Sequence, residues 1–413
     1  MIPLLLSFVA ADARLDAKLD DLRLNGSIIA AHVTDAEGED LYARNADLRV
    51  VPASNQKLLT CAFALHSLGA DRRPTTRFWK DKEKLTIDAP GDPLLTYRTL
   101  KDAATRLDLK PEHPVYLREA YAPGVPDSWE IDDLPNKYAA PVTAFTVDRG
   151  SFELWNEGGK LALRPTSYGV KIERRRAPEP FLRYDPFARK VFFAGSYAEK
   201  TERLDTLALP APDEAAASIF GRLRGGVDRL PTRRPDLIIS GRTTLETIAE
   251  CLPPSDNNLA ENLLLMSVAK DGTLGMKPYA AARKGLEGFL YETVGVPAGS
   301  IRAFDGSGMS RHNLVTARAI TRLLAWSNAQ PSVDAWKGTL AAPGRGTLSS
   351  RLSGMAFFGK TGSLDMVAAL SGYLQTRTGR QVQVSVILNH FTCSPADARA
   401  VIDAFVKEAA EIL

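Results

Sequence analysis

Residues 76–235 differ in composition and residue pattern from the sequence on both sides of them. This segment is rich in proline and in charge, and short β-prone pieces alternate in it with turn signals. The flanking sequence carries longer apolar patterns, which predict helices at both ends and three strands over 356–362, 367–376 and 382–389. We therefore expect one domain built from both ends of the chain, with a second, β-rich part inserted into it.

Three divisions of the chain follow from this pattern. Residues 14–76 and 237–413 are assigned to the discontinuous domain, and residues 77–236 to the β-rich insertion. Residues 1–13 resemble a partial signal peptide, because an apolar run at 4–10 precedes an A-x-A site at 11–13, although no Lys or Arg precedes the run. The alternative is an apolar N-terminus of a cytosolic protein. No other apolar stretch approaches 20 residues, so no transmembrane segment is expected.

The composition excludes several classes of protein. Of 413 residues, 45% are hydrophobic and 24% are charged, which permits a sizeable core and excludes whole-chain disorder. The 52 basic and 49 acidic residues give 52 − 49 = +3, with both signs mixed along the chain, so nucleic acid is not expected as a partner. Three cysteines cannot form a disulfide framework; we expect three buried thiols, with one disulfide as the alternative. The five scattered histidines do not have zinc-site spacing.

Three short motifs follow one another along the chain. They are Ser54-x-x-Lys57, Ser255-Asp256-Asn257 and Lys360-Thr361-Gly362. The first is weak alone, because S-x-x-K recurs at Ser267-x-x-Lys270. All three motifs in this order are expected by chance in roughly a few chains per thousand. The combination is therefore a strong indication of one functional site.

The residue types of the first two motifs suit acyl transfer. Ser54 and Lys57 share one face of a helix, so the amine can reach the hydroxyl. A serine hydroxyl needs a base, and a lysine can serve only when burial and a second cation lower its pKa. We assign that second cation to Lys360. Ser255 is expected to pass a proton to the leaving amine, and Asn257 to hold a peptide carbonyl.

The third motif is expected to bind the substrate. Gly362 lacks a Cβ, so an extended peptide could lie along this strand as an added strand. The backbone N–H of Ser363, together with that of Ser54 at the helix start, would stabilise an oxyanion. The hydroxyls of Thr361 and Ser363 and the charge of Lys360 would bind a terminal carboxylate.

Further landmarks extend this pattern over nearly the whole chain. They are Pro52-Ala53-Ser54, Gly91-Asp92-Pro93, Asp305-Gly306-Ser307-Gly308-Met309-Ser310-Arg311 and the segment from Gly346-Thr347-Leu348 to Arg351. With them the sequence resembles the class C, type-4 low-molecular-mass penicillin-binding proteins, which are serine D-alanyl-D-alanine carboxypeptidases and endopeptidases. The resemblance implies an α/β (α+β) fold of the transpeptidase type, with an antiparallel sheet flanked by helices.

The resemblance also implies roles for the motif residues. Ser54 corresponds to the nucleophile and Lys57 to the base, Ser255 and Asn257 to the second motif, and Lys360 to the lysine of the third. Ser54 and Ser255 are 255 − 54 = 201 residues apart, which is more than class A β-lactamases place between these motifs. The family fills this gap with inserted domains, and the insertion here looks shorter than is usual.

The function implied is a penicillin-binding peptidase that acts through an acyl-enzyme on Ser54. Its expected partners are peptidoglycan stem peptides as substrates and β-lactam antibiotics as covalent inhibitors, with no metal and no cofactor. Because peptidoglycan lies outside the cytoplasmic membrane, we expect an exported protein, located in the periplasm or another extracytoplasmic cell-wall space. The alternatives are a β-lactamase or esterase of the same fold, for which no deacylating carboxylate is recognisable, and a non-catalytic cell-wall-binding scaffold.

Overall fold

The computed structural model describes residues 2–413 apart from 111, 123, 270, 271 and 276, and for residues 2–10 it describes the backbone only. Two compact units are present: the first comprises Met1–Gly69, Leu245–Leu264 and Ala282–Leu413, and the second comprises Ala70–Thr244 and Leu265–Ala281. The second unit thus includes residues 265–281, which the sequence analysis placed in the discontinuous domain. The functional division into a catalytic domain and an insertion stays a prediction.

Helices and strands occur along the whole of the described chain, with a run of strands from β6 to β11 and a run of helices from α5 to α7. The α-helices are α1 (Ile2–Leu19), α2 (Gln56–Leu68), α3 (Tyr97–Arg106), α4 (Pro212–Ser218), α5 (Thr244–Cys251), α6 (Asn257–Ala269), α7 (Pro278–Gly288), α8 (Ala317–Asn328), α9 (Val333–Gly338) and α10 (Pro395–Ile412). The strands are β1 (Ile28–Asp35), β2 (Asp40–Arg44), β3 (Thr75–Lys80), β4 (Leu85–Ala89), β5 (Pro114–Glu119), β6 (Ser151–Glu157), β7 (Lys160–Arg164), β8 (Lys171–Arg174), β9 (Phe181–Asp185), β10 (Lys190–Ala194), β11 (Thr201–Ala208), β12 (Arg222–Gly226), β13 (Leu237–Ser240), β14 (Ile301–Arg302), β15 (Leu314–Val315), β16 (Phe357–Leu364), β17 (Val367–Gln375) and β18 (Gln381–Asn389).

The first unit is built on a five-stranded antiparallel sheet of order β16-β17-β18-β1-β2. Its strands come from both ends of the chain: β1 pairs along its whole length with β18, from Ile28 opposite Asn389 to Asp35 opposite Val382. The three C-terminal strands lie where the sequence predicted them. β16 is at the edge of the sheet.

Helices cover both faces of this sheet. Val33 belongs to a buried cluster with Leu19 of α1 and Phe405 of α10. His32, which precedes Val33 in β1, lies on the opposite face and contacts Thr321 of α8, with 2.6 Å between Nδ1 and Oγ1. Successive side chains of a strand alternate between its faces, so β1 contributes to both helix layers.

The second unit contains three sheets. One is a five-stranded mixed sheet of order β12-β5-β4-β3-β13, and the others are three-stranded, of orders β11-β6-β7 and β8-β10-β9. Its core is rich in aromatic side chains, including Phe78, Phe145, Phe152 and Phe220. The unit is rich in strands, as predicted for 77–236, but it also contains α3 and α4, which the sequence analysis did not identify.

Four smaller expectations can be compared with the structure. The predicted signal falls on α1, largely within residues 2–10, whose side chains lie outside the described part of the chain. All three cysteines are free thiols; Cys61 and Cys251 are buried, whereas Cys393 is only half-buried. In the described residues no cluster of His, Cys, Asp and Glu could hold a metal ion. No helix among them is long and apolar enough to cross a bilayer.

Candidate active site

A tight turn places Ser54 immediately before α2. The turn is a 3₁₀ helix, Ala53–Asn55, and Ala53 adopts a left-handed backbone with φ of +48°. Lys57 follows one turn later and is fully buried. Its Nζ donates to the Ser54 Oγ at 2.9 Å, so the hydroxyl contacts an amine and does not merely cap the helix. The predicted proximity of these two side chains is present in the structure.

The Lys57 amine has three hydrogen-bond partners. Besides Ser54 Oγ, Nζ lies 2.6 Å from Asn257 Oδ1 and 2.7 Å from the carbonyl oxygen of Ser307. These two oxygens can only accept hydrogen bonds. A neutral amine therefore donates its two N–H groups to them, and its lone pair is left towards Ser54. In that state the Ser54 hydroxyl donates to Nζ, which is the arrangement a general base requires.

Burial favours a neutral amine at this position. Burial lowers the pKa of Lys57, although the nearby Asp305 and Glu261 oppose this effect. Burial and the charge of Lys57 together lower the pKa of Lys360 to well below its usual range. Since each ammonium group disfavours the other, protonation of Lys360 promotes loss of the proton from Lys57.

The second motif is positioned by a helix cap. Asp256 accepts a hydrogen bond from the backbone N–H of Leu259 at 3.0 Å, so that α6 begins at Asn257. This start places the Asn257 side chain against Lys57. Ser255 is half-buried in the loop before the cap, with a left-handed φ of +64°. Its hydroxyl is not one of the three partners of the Lys57 amine.

The third motif lies on the edge strand β16. An ideal Cβ on Gly362 would lie 2.7 Å from the carbonyl oxygen of Pro52 and 3.2 Å from the Cβ of Ala53. The glycine therefore permits close packing of β16 on the turn that carries Ser54, which is a different reason from the predicted space for substrate. Lys360 is fully buried, and its Nζ donates to the carbonyl oxygen of Thr361 at 2.8 Å.

The predicted carboxylate cradle has a different geometry from the one expected. Because strand side chains alternate, Lys360 lies on one face of β16, whereas Thr361 and Ser363 lie on the other; Lys360 is buried, and the two hydroxyl residues are more exposed. The lysine and the two hydroxyls do not share one face. A carboxylate would have to meet them around the strand edge.

Residue Thr347 links the second and third motifs. Its backbone N–H donates to the carbonyl oxygen of Pro253 at 3.0 Å, two residues before Ser255. Its hydroxyl accepts from the Thr361 hydroxyl at 2.8 Å. The segment around Thr347, recognised in the sequence as a landmark, thus holds two walls of the site together.

The loop that begins at Asp305, one of the landmarks of the sequence pattern, supplies a direct partner of Lys57. The carbonyl of Gly306 accepts from Thr60 Oγ1 at 2.7 Å, next to the Lys57 bond to Ser307. The N–H groups of Gly306 and Ser307 donate to the buried carboxyl of Glu261 at 2.9 and 2.7 Å. The loop is therefore held from both sides with the Ser307 carbonyl at the amine.

Glu261 is the residue of this site that sequence reasoning missed. Burial and the neighbouring Asp305 raise the pKa of Glu261 to about 8. Asp305 itself accepts from the backbone N–H groups of Gly308 and Ser310 at 2.8 and 2.6 Å. A signal was present, because Glu261 is the one acidic residue in the largely apolar run over 259–269.

Asp92 of the Gly91-Asp92-Pro93 landmark has a local structural role. Its Oδ1 accepts from the backbone N–H of Leu94 at 3.0 Å, which forms a turn, and Gly91 adopts a φ of +106°. Burial raises the pKa of Asp92 to about 6. These contacts make Asp92 a turn residue.

Comparison with known proteins identifies the family. The model of the D-Ala-D-Ala carboxypeptidase 3 (S13) family matches residues 11–162 and 244–412. The chain belongs to this family. Membership confirms the predicted family and the predicted enzyme class, a D-Ala-D-Ala carboxypeptidase.

Relatives of known name agree with this assignment. The chain is 29% identical to the D-alanyl-D-alanine carboxypeptidase of Actinomadura sp. (strain R39), over 91% of this chain and 80% of the relative. It is 27% identical to carboxypeptidase DacB of Mycolicibacterium smegmatis, over 88% of this chain and 76% of the relative. The similarity therefore extends over most of each protein.

Solved structures show the same fold. Penicillin-binding protein 4 of Haemophilus influenzae matches with a TM-score of 0.76 at 20% identity, covering 96% of this chain and 98% of that one. The predatory peptidoglycan endopeptidase Bd3459 of Bdellovibrio bacteriovorus matches with a TM-score of 0.56 at 12% identity, covering 93% and 92%. The predicted fold class, an antiparallel sheet flanked by helices with an insertion, is confirmed.

Proposed function

We propose that the enzyme releases the terminal D-alanine of peptidoglycan stem peptides and cuts D-alanyl cross-links, with Ser54 as its nucleophile. The observation that carries this assignment is the Lys57 amine, whose two acceptor partners leave its lone pair towards the Ser54 hydroxyl. The substrate class comes from the family to which the chain belongs.

The reaction begins with attack of Ser54 Oγ on the carbonyl carbon between the two D-alanines. The hydroxyl proton passes to Lys57 Nζ, and the carbonyl oxygen becomes an oxyanion held by the backbone N–H groups of Ser54 and Ser363. Collapse of this intermediate breaks the C–N bond. Ser255 relays the proton from Lys57 to the departing amine, and water then hydrolyses the acyl-enzyme.

Lys360 is the proposed partner of the substrate carboxylate. It is a buried amine whose single acceptor among the described residues is the Thr361 carbonyl, so an anion at the strand edge would supply a compensating negative charge. Binding the carboxylate would favour protonated Lys360, and this in turn favours neutral Lys57. The edge position of β16 lets the peptide backbone pair with residues around Gly362 as an added strand. Asn257 orients Lys57 through its oxygen and is the proposed amide donor to a substrate carbonyl.

The same serine is the proposed site of acylation by β-lactams. The Haemophilus influenzae protein of the same fold has been solved in complex with a β-lactam. A β-lactam presents a reactive carbonyl and a carboxylate, and Ser54 and Lys360 are suited to these two groups. We place the enzyme in the extracytoplasmic cell-wall space, because its proposed substrate is there. No feature of the site favours the β-lactamase, esterase or scaffold alternatives.

Release of D-alanine from diacetyl-L-lysyl-D-alanyl-D-alanine tests the proposal. Ser54→Ala should abolish release and leave the melting temperature unchanged, because the hydroxyl makes no cap to the helix. Ser196→Ala, an exposed serine of the second unit, is the matched control and should retain full activity. Release by Ser54→Ala at the wild-type rate would refute the nucleophile assignment.

A further inference from the structure

A cavity of about 290 Å³ lies within the second unit, and its described lining includes none of the residues of the proposed reaction. Among the described residues that line it are four arginines, Arg72, Arg73, Arg77 and Arg118, and a single carboxylate, Asp88. With four positive charges and one negative charge, the lining has a net charge of +3. Such an excess at a concave surface attracts anions.

Three of these side chains form a row across the sheet. Arg77 of β3 is the register partner of Asp88 of β4, which is the register partner of Arg118 of β5. The Nε and Nη2 of Arg77 donate to one oxygen of Asp88 at 2.9 and 2.5 Å. Nη1 of Arg118 lies 3.6 Å from the other oxygen, which is beyond hydrogen-bond distance. The carboxylate is therefore bonded to Arg77, and Arg118 is only loosely paired.

The positive charge of Arg72 is compensated even less than that of Arg118. It precedes β3, and in the described part of the chain its guanidinium has neither a hydrogen-bond partner nor an ion-pair partner. Arg72 and Arg118 thus line one cavity with donor groups for which the described residues supply no close hydrogen-bond acceptor. The planar guanidinium fork matches the oxygens of carboxylates and phosphates.

The size and walls of the cavity indicate the kind of ligand it can hold. Its volume equals that of about ten waters at ~30 Å³ each, which is enough for a small acid. Pro74, Pro90 and Met266 add apolar wall to the arginines. We propose that this cavity binds an oxyanion, a carboxylate or a phosphate ester, borne on a short carbon chain.

Two cell-wall sources share this chemistry: the free carboxylates of stem peptides and the phosphates of anionic wall polymers. Only this choice of sources rests on the proposed function. Isothermal titration calorimetry of the full chain with N-acetyl-D-glutamate and with glycerol 3-phosphate separates them, since the tighter probe identifies the source. Equal affinities indicate an oxyanion site that accepts both.

The arginines are tested one at a time. Arg72→Ala and Arg118→Gln should each weaken binding of the probe by about tenfold or more, because each removes charge-assisted hydrogen bonds. Arg224→Ala removes an exposed arginine of the same unit that does not line the cavity, and it should bind as the wild type does. Arg72→Ala removes no side-chain partner among the described residues, so its fold should be intact.

The proposal fails if neither probe shows saturable binding, or if the two cavity variants bind as tightly as Arg224→Ala. Acylation of Ser54 by benzylpenicillin provides a separate readout on the same preparations. It should be unchanged in all three variants, so failure of the anion site and failure of the proposed peptidase function are distinguishable.

Discussion

Replacing Asn257 by Asp changes one atom of a hydrogen bond and places a carboxylate beside the proposed base. The Asn257 Oδ1 lies 2.6 Å from Lys57 Nζ, so an isosteric Asp would form a buried ion pair with the ammonium form. Opposite charge favours the protonated lysine and raises its pKa. Acylation needs the neutral amine, and its rate rises as pH rises through the Lys57 pKa. The variant should therefore require a higher pH.

The expected size of this effect follows from the geometry. Two unit charges about 4 Å apart interact with about 4 kcal/mol at an effective dielectric of about 20. At about 1.4 kcal/mol per pKa unit, this raises the Lys57 pKa by up to about three units. The cost of burying the new carboxylate reduces the effect. Acylation at neutral pH should then fall by about 100- to 1000-fold, at about tenfold per pKa unit.

The assay is the second-order rate constant for acylation by benzylpenicillin, measured against pH for the wild type, Asn257→Asp and Asn257→Leu. The leucine variant removes the acceptor without adding charge, so it separates loss of the hydrogen bond from the charge effect. It should lower the maximal rate without moving the midpoint to higher pH. If Asn257→Asp titrates at the wild-type midpoint, Lys57 is not the base that limits acylation.

Three further variants test other parts of the account. Lys360→Met should raise KM for a D-Ala-D-Ala peptide by about tenfold or more, with little effect on the corresponding C-terminal amide, because the amide has no carboxylate to bind; equal losses on both substrates would contradict the carboxylate role. Gly308→Ala would place a Cβ against the Ala53 carbonyl oxygen at a φ of +85°. It should slow acylation at least about tenfold and destabilise the fold by about 2 kcal/mol or more. The control Gly379→Ala, at +82° with open space around it, should cost only about 1 kcal/mol in urea unfolding and leave acylation unchanged. Burial, aided by Asp213, raises the pKa of Glu119 from 4.5 to about 8, so its contribution to stability is fully present below pH 4.5 and is lost as pH rises through 8. The wild type should lose roughly 2–4 kcal/mol of unfolding free energy over this pH range through Glu119, and Glu119→Gln should not show this loss. The exposed control Glu112→Gln should behave as the wild type does. Identical slopes of unfolding free energy against pH for all three proteins would refute the buried-acid assignment.

The sequence was sufficient to locate the motifs and the three C-terminal strands of the first unit. Ser54 and Lys57 are three apart on one helix, so helical geometry alone predicts their contact, and the alternating pattern of 382–389 matches β18 closely. The face of Lys360 was also accessible to sequence reasoning, because adjacent residues of a strand point to opposite faces. The predicted carboxylate cradle instead grouped Lys360 with hydroxyls from the opposite face of the strand.

Other parts of the site carry weaker signals. The partner of Lys57 at Ser307 is a backbone carbonyl, which any residue type can supply, so the sequence does not distinguish it. Its position depends on Glu261, more than 40 residues earlier, and this pairing arises only from the tertiary fold. In the insertion, Leu100, Ala103 and Ala104 do have helical spacing and bury one face of α3, but the surrounding charge and proline obscured it.

The most direct test of the central claim is an intact-protein mass spectrum recorded over time after addition of benzylpenicillin, followed by peptide mapping. We predict a long-lived adduct of one drug molecule on the peptide that contains Ser54, and no adduct on Ser54→Ala. An adduct that maps to another residue, or drug that stays unchanged with no adduct, would contradict the assignment of Ser54 as the acylated nucleophile.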